Sequence, residues 1–245
     1  ARAVSGPASH PFRAYVAPAA AGRTALWRLA AGLVLVLAVW FGWTAVVLAA
    51  HAGLLAAAGV PADLAIARTE GLLAGGSPRA VALVLLTFAG LWAGLALALR
   101  LLHGRGLAGV LAAPGRFQWG EMAAGAAMAA AFFALSTAIG LAVAGAPERS
   151  DLAPAIWLGW LPAIGLLVLM QAGAEEALFR GYLVQGLAAR GLPAIVWGGA
   201  PALLFGVLHQ TGGLPGASGA LYPVATAIFA VAATAVFDAL SSGKG

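Results

Sequence analysis

The chain has 245 residues, 62% of them hydrophobic and only 9% charged, and its mean hydropathy is +0.97. Soluble domains carry about a quarter charged residues, so this chain lacks the polar surface of a water-soluble globule and the charge of a disordered or nucleic-acid-binding segment. The net charge of +5 comes from 13 basic residues, a single Lys among them, scattered one at a time along the chain; they read as topology signals in a membrane protein.

The absence of Cys removes disulfides, thiolate metal ligands and a Cys nucleophile together. Spans are sought where about 20 residues run without charge, because an unpaired ionisable group at the bilayer centre costs about 2.5 to 3.5 kcal/mol. Residues 1–24 form a polar, Pro-containing tail with Arg2, Arg13 and Arg23, too long for a signal-peptide n-region. The bundle proper is expected over residues 25–240. Its first span runs from about Leu29 to Ala50, its second between Arg79 and Arg100, and its third from about Met122 to Ala146. A fourth extends from about Ala155 towards Arg190 and a fifth from about Pro193 to His209. After the breaker-rich stretch to Gly219, a sixth spans Ala220 to Phe237, and residues 241–245 are a short polar tail. The expected fold is therefore all-α, a polytopic transmembrane helix bundle of about six spans, with the lipid bilayer as its first partner.

Orientation follows from the loops. With the N-terminus cytoplasmic, that side collects Arg2, Arg13, Arg23, Arg28, Arg100, Arg105, Arg116, Arg190 and Lys244, against Arg68, Arg79 and Arg149 on the other. Trp27, Trp119 and Trp197 then fall at cytoplasmic helix ends. His10, His51 and His103 lie in the tail or near span ends, where a solvated or interfacial imidazole is expected.

Arg180 has no place among the loops. It belongs to the segment Gln171 to Tyr182, which sets Glu175, Glu176 and Arg180 inside an apolar helix. At 100° per residue Glu176 and Arg180 share a face at i,i+4, so one carboxylate pairs with the guanidinium and Glu175 is left over. His209 is the only His after position 103, and Leu192 lies 17 residues from both Glu175 and His209. A chain that turns near Gly191 to Pro193 and returns antiparallel brings both side chains about 25 Å from the turn, to one depth. A carboxylate and an imidazole facing each other across two helices, with an Arg close by, can hold a water, take its proton and stabilise an oxyanion.

Simpler readings stand beside this one. Glu176 with Arg180 is a structural ion pair, Glu175 a carboxylate reaching a wet cavity or the interface, and His209 a hydrogen-bonded helix-end histidine. Gln171, Tyr182 and Gln185 are helix-to-helix hydrogen-bonding groups or supports for the site, and Phe205 is packing. Equal depth is what favours the joint reading. The Gly-rich run 211–219 lacks the Lys-Ser/Thr pair of a phosphate loop.

The two patterns, Glu175-Glu176-x-x-x-Arg180 followed by Phe205-x-x-x-His209, resemble those of the CPBP family of intramembrane proteases, which includes CAAX prenyl protease type 2 enzymes and bacteriocin-processing and self-immunity relatives. The motif region covers about 170–210. The resemblance implies an intramembrane endopeptidase in which Glu175 and His209 activate a water against a peptide bond of a membrane-associated protein or peptide, while Glu176 and Arg180 orient and charge-balance the site. The family's metalloprotease label admits zinc, but catalytic zinc takes three protein ligands, and only His209 and two adjacent glutamates present themselves. A glutamate-type mechanism without a tightly held metal is expected. The family's later His-x-x-x-Asn motif, an oxyanion binder, has no counterpart here, since no His follows position 209 and the chain has no Asn. Loss of oxyanion donors costs about 100- to 1000-fold each, so the expectation is a truncated, C-terminally altered or divergent member with impaired turnover. The alternative is a noncatalytic membrane interaction or bacteriocin-immunity protein. Composition suggests a bacterial inner membrane.

Overall fold

A computed structural model describes residues 11–111, 119–144, 153–209 and 228. Among these residues there are helices and connecting turns and no strand. Three helices are long and apolar enough to cross a membrane: 26–57, 78–103 and 154–188. They coincide with the first, second and fourth expected stretches. The third falls on a 26-residue helix, Trp119–Ala144, and the fifth on a shorter apolar stretch, 194–208. The expected sixth, Ala220 to Phe237, lies outside the described residues, as do the run 211–219 and both chain ends.

The chain divides into two compact units, residues 1–114 with 163–245, and residues 115–162. The smaller contains α7, the helix Trp119–Ala144, and the beginning of the helix that starts at Pro154. Large apolar side chains of that second helix, among them Leu158, Leu166 and Leu169, are exposed, as suits a surface whose solvent is hydrocarbon.

In the larger unit α1 is Pro11–Ala20, α2 Leu26–Ala57, α3 Ala62–Glu70, α4 Pro78–Leu86 and α5 Phe88–Ala98. A 3₁₀ turn, Gly71–Ala74, follows α3. Ser77 caps α4 by accepting from the Ala80 N–H at 3.2 Å, with Pro78 at the first helical position, where a missing N–H costs nothing. Thr87 separates α4 from α5 and turns its hydroxyl back to the Val84 carbonyl at 2.7 Å. Beyond α5 the winding opens into a π-helical turn, Leu99–His103, that ends at Gly104 in the left-handed conformation, φ 68°. The short α6 is Ala108–Leu111.

The core forms where α5 lies on α2. Val36, Leu95, Ala98 and Leu99 have no exposed surface. Lipid tails are as apolar as Leu, so burial drives this association little; close packing and dispersion carry it. Glycine allows the approach, since a Cβ on Gly94 would stand 2.8 Å from both the Cα and the carbonyl oxygen of Val36. Two tryptophans inside the spans satisfy their N–H groups across helices: Trp43 donates to the Leu86 carbonyl at 3.1 Å and Trp92 to that of Met170 at 2.9 Å.

Two local expectations are corrected. Residues 11–20 of the expected polar tail are helical, and Val16 and Ala19 are buried. His51 and His103, expected to be solvated or interfacial, are 6% and 7% exposed. The Tyr15 hydroxyl ties α1 down, standing 3.2 Å from the carbonyls of both Val110 and Arg180.

Burial pushes the Tyr15 phenol from its usual 10 up to about 12. The folded chain holds this proton more tightly than the unfolded chain, so the stability tied to it is full below pH 10 and is lost as pH climbs towards about 12. Thermal midpoints recorded over that range should fall more steeply for the wild type than for Tyr15→Phe, which at neutral pH loses about 1 kcal/mol for the hydrogen bond. Parallel curves would show that Tyr15 is not docked.

Candidate active site

The helix of the Glu-Glu-x-x-x-Arg motif is α8, Pro154–Glu176, which passes without a break into a π-helical segment, Ala177–Val184, and then into α9, Gln185–Ala188. The π winding begins immediately after the glutamate pair. Such wide turns are uncommon and recur at functional sites, because they re-aim side chains that an α-helix would stack on one face. Here the π segment is the buried part of the helix, with Leu178, Phe179, Tyr182 and Val184 all in the core.

Past Ala188 the chain turns at Gly191, in the left-handed conformation with φ 69°, and returns through α10, Ala194–Trp197, and α11, Gly199–Leu208. His209 caps α11. The return brings the His209 Nε2 to 3.9 Å from the Glu175 Oε2, although 34 positions separate them in sequence.

The surroundings of the two groups define their roles. Gln171, one turn before Glu175 on α8, donates to the Glu175 Oε1 at 3.2 Å and leaves Oε2 towards His209. The His209 Nδ1 lies 2.8 Å from the Phe205 carbonyl. With Nδ1–H donating there, the neutral ring presents the lone pair of Nε2 to Glu175. Side-chain exposure is 17% for Glu175 and 28% for His209: enough for a water to enter, little enough to keep the pair out of bulk solvent. A water about 2.8 Å from each atom fits across a 3.9 Å gap with the two hydrogen bonds at nearly a right angle.

Glu176 points elsewhere. It pairs with Arg180 one turn on and its side chain is 55% exposed. The Arg180 guanidinium also stands 5.5 Å over the Phe205 ring, and Phe205 packs against His209 at 4.0 Å and edge-on against Phe179 at 5.0 Å. Phe205 is thus the wedge through which the motif helix and α11 hold the imidazole in place. The structure therefore brings together Glu175 and His209, sets Arg180 beside them through Phe205, and turns Glu176 outward.

Among the described residues no group of three or more His, Cys, Asp or Glu side chains gathers where one ion could be held. Glu175 and His209 supply two donors among the described residues, one short of the three that catalytic zinc takes.

Residues 157–242 match the family model described as type II CAAX prenyl endopeptidase Rce1-like. Over this stretch, about a third of the chain, the sequence is similar to the Rce1-like family. The match spans both motifs and supports the CPBP assignment drawn from them. At family level the match supports a CAAX-type intramembrane protease, and the three apolar helices suit a membrane protein. No curated protein and no solved structure matches the chain.

The matched region also contributes Tyr182 to a buried polar pair that sequence reasoning set aside. The Tyr182 hydroxyl, on the π segment, meets the His103 Nε2 at 2.8 Å, and the His103 Nδ1 lies 3.0 Å from the Arg23 carbonyl. Gly32 of α2 makes room, since a Cβ there would overlap the Tyr182 oxygen. Gln185 accepts from Arg105 at 2.7 Å and donates to the Gly109 carbonyl at 2.8 Å. Tyr182 and Gln185 are therefore inter-helix ties remote from the glutamate-histidine pair, whereas Gln171 bonds within its own helix. The signal available for His103 was its spacing from charge-free Leu102 and Leu101 on one side and Arg105 on the other, which marks a span end without revealing a buried partner.

Proposed function

We propose that the chain is an intramembrane endopeptidase in which Glu175 and His209 share the activation of one water, and that this water attacks a peptide bond of a membrane-associated substrate. The observation that supports the reading most is the 3.9 Å approach of the two side chains, each held by its own second partner, Gln171 and the Phe205 carbonyl. Either group can take the proton as the oxygen adds to the carbonyl, and the same proton then passes to the leaving amine. Arg180 supplies positive charge near the developing oxyanion, and its pair with Glu176 restrains it. No tightly held metal is needed for these steps. The protein would work as a multi-pass protein of about six spans in a bacterial inner membrane, N-terminus cytoplasmic.

A test is direct. Protein reconstituted in vesicles is mixed with reporter peptides that carry a C-terminal lipid or none, and the released C-terminal fragment is quantified. Cleavage of the lipid-bearing reporter is expected; a reconstituted, folded protein that releases no fragment from any membrane-bound reporter would argue for the noncatalytic interaction or immunity role.

A further inference from the structure

Basic residues that are solitary in sequence become neighbours in the fold. Arg28 begins α2, His103 ends the π turn after α5, Arg105 follows it, and Arg190 lies just beyond α9. Each of the three membrane-length helices has one end here, so this is where the bundle meets the lipid-water boundary. Arg28, Arg105 and Arg190 are all close enough to the His103 imidazole to act on it electrostatically, and Arg105 and Arg190 act likewise on the Tyr182 hydroxyl.

No carboxylate among the described residues answers these charges: the described acidic groups Asp63, Glu70, Glu175 and Glu176 make no ion pair with any of them. The hydrogen bonds that do form go to neutral oxygens. Arg28 donates to the Leu102 carbonyl at 3.0 Å, Arg105 to Gln185, and Arg190 to the Gly186 carbonyl of its own helix. The Nε of Arg105 and both Nε and Nη2 of Arg190 are buried, and no described group accepts from them. Burial pulls both guanidinium groups below their ordinary range, the mark of cations short of counter-charge. A half-buried guanidinium with free donors is expensive to keep unless an anion completes it, and a planar fork of N–H groups is shaped for phosphate oxygens.

The geometry points to a phosphate-binding site at this end of the bundle, formed by Arg105 and Arg190 with Arg28 at its edge, whose natural occupant is the headgroup of an anionic phospholipid. Basic pockets between helix ends at the membrane surface take such headgroups, and the neighbouring exposed Trp27, under the Arg28 guanidinium at 4.5 Å, suits the same interfacial zone. This site is separate from the glutamate-histidine pair and does not depend on proteolysis.

The experiment uses the full chain in nanodiscs of phosphatidylcholine with or without phosphatidylglycerol, with lipid retention read by native mass spectrometry and stability by thermal unfolding. Wild type should retain phosphatidylglycerol preferentially and unfold at higher temperature in its presence. Arg190→Gln, whose one described side-chain bond is to its own helix, should lose about fivefold of that preference and the double variant with Arg105→Gln about fivefold more. Exposed Arg100→Gln should change neither. Inorganic phosphate added to detergent-solubilised protein separates the sources: stabilisation there that vanishes in Arg190→Gln establishes the phosphate site without a lipid tail. The proposal is overturned if neither the lipid nor phosphate is preferred, or if Arg190→Gln, folded with wild-type midpoint in phosphatidylcholine, keeps the full preference.

Discussion

Replacing Glu175 by Gln is expected to lower proteolytic turnover by about 100- to 10,000-fold, the range that a positioned acid-base group contributes. The substitution keeps the size of the side chain and its hydrogen bond with Gln171, so the fold should be untouched and the loss should appear in kcat with KM unchanged. His209→Ala should fall to a similar level, and the double variant should be little worse than either single one, because two groups sharing one water act as a unit. Glu176→Gln provides the contrast. Its carboxylate is mostly exposed and pairs with Arg180, and exposed pairs are worth about 0 to 1 kcal/mol, so its effect should stay within about tenfold. Turnover measured on reconstituted variants decides the matter. Equal losses at Glu175 and Glu176 would show the motif acting as a charge pair rather than as a base; full turnover in Glu175→Gln would remove the proposed mechanism.

A second large effect is expected at Gly94. Any Cβ there enters the space of the Val36 backbone at 2.8 Å, and backbone cannot rotate aside as a side chain can. Gly94→Leu should push α5 off α2 along the principal helix contact of the larger unit and cost about 3 kcal/mol or more, at or above the usual range for overpacking. Because lipid offers no hydrophobic force to press the helices back together, the loss is not recovered by a looser arrangement. Gly53→Ala is the control. It lies in α2 with nothing within 4 Å of the position, and should be neutral or stabilising. Thermal midpoints in one detergent compare them, and wild-type stability in Gly94→Leu would mean that the two helices do not pack as described.

The membrane-length helices were legible because charge is so costly in lipid that its absence marks them. Arg79 and Arg100 bound the second, and the helix begins and ends within a few residues of both. The approach of Glu175 to His209 was legible from arithmetic alone, through equal distances from a Gly-Leu-Pro turn, since two antiparallel helices of equal rise must meet at equal depth. What escaped was everything that depends on partners far apart in sequence. His103 and Tyr182 are 79 positions apart, and each alone looks like an ordinary polar group near a helix end. The π windings at 99–103 and 177–184 have no signature in the pattern of apolar residues, so a constant 100° per residue served for Glu176 with Arg180, which straddle the start of one, and failed for the residues after them. The helix at 11–20 was hidden because its apolar stripe is only Val16 and Ala19, with Pro18 inside it.

That first helix has a bearing on how the molecule is made. Tyr15 leaves the ribosome 165 residues ahead of the Arg180 carbonyl it will bind, so this segment waits for a partner made much later. Until the motif helix is in the bilayer, α1 has only the Val110 side of its seat to dock on, and closing so long a loop is slow compared with pairing adjacent helices. Its arrival therefore reports that the helix bearing Glu175 has been inserted and wound, which makes protection of residues 11–20 from added protease a clock for completed assembly.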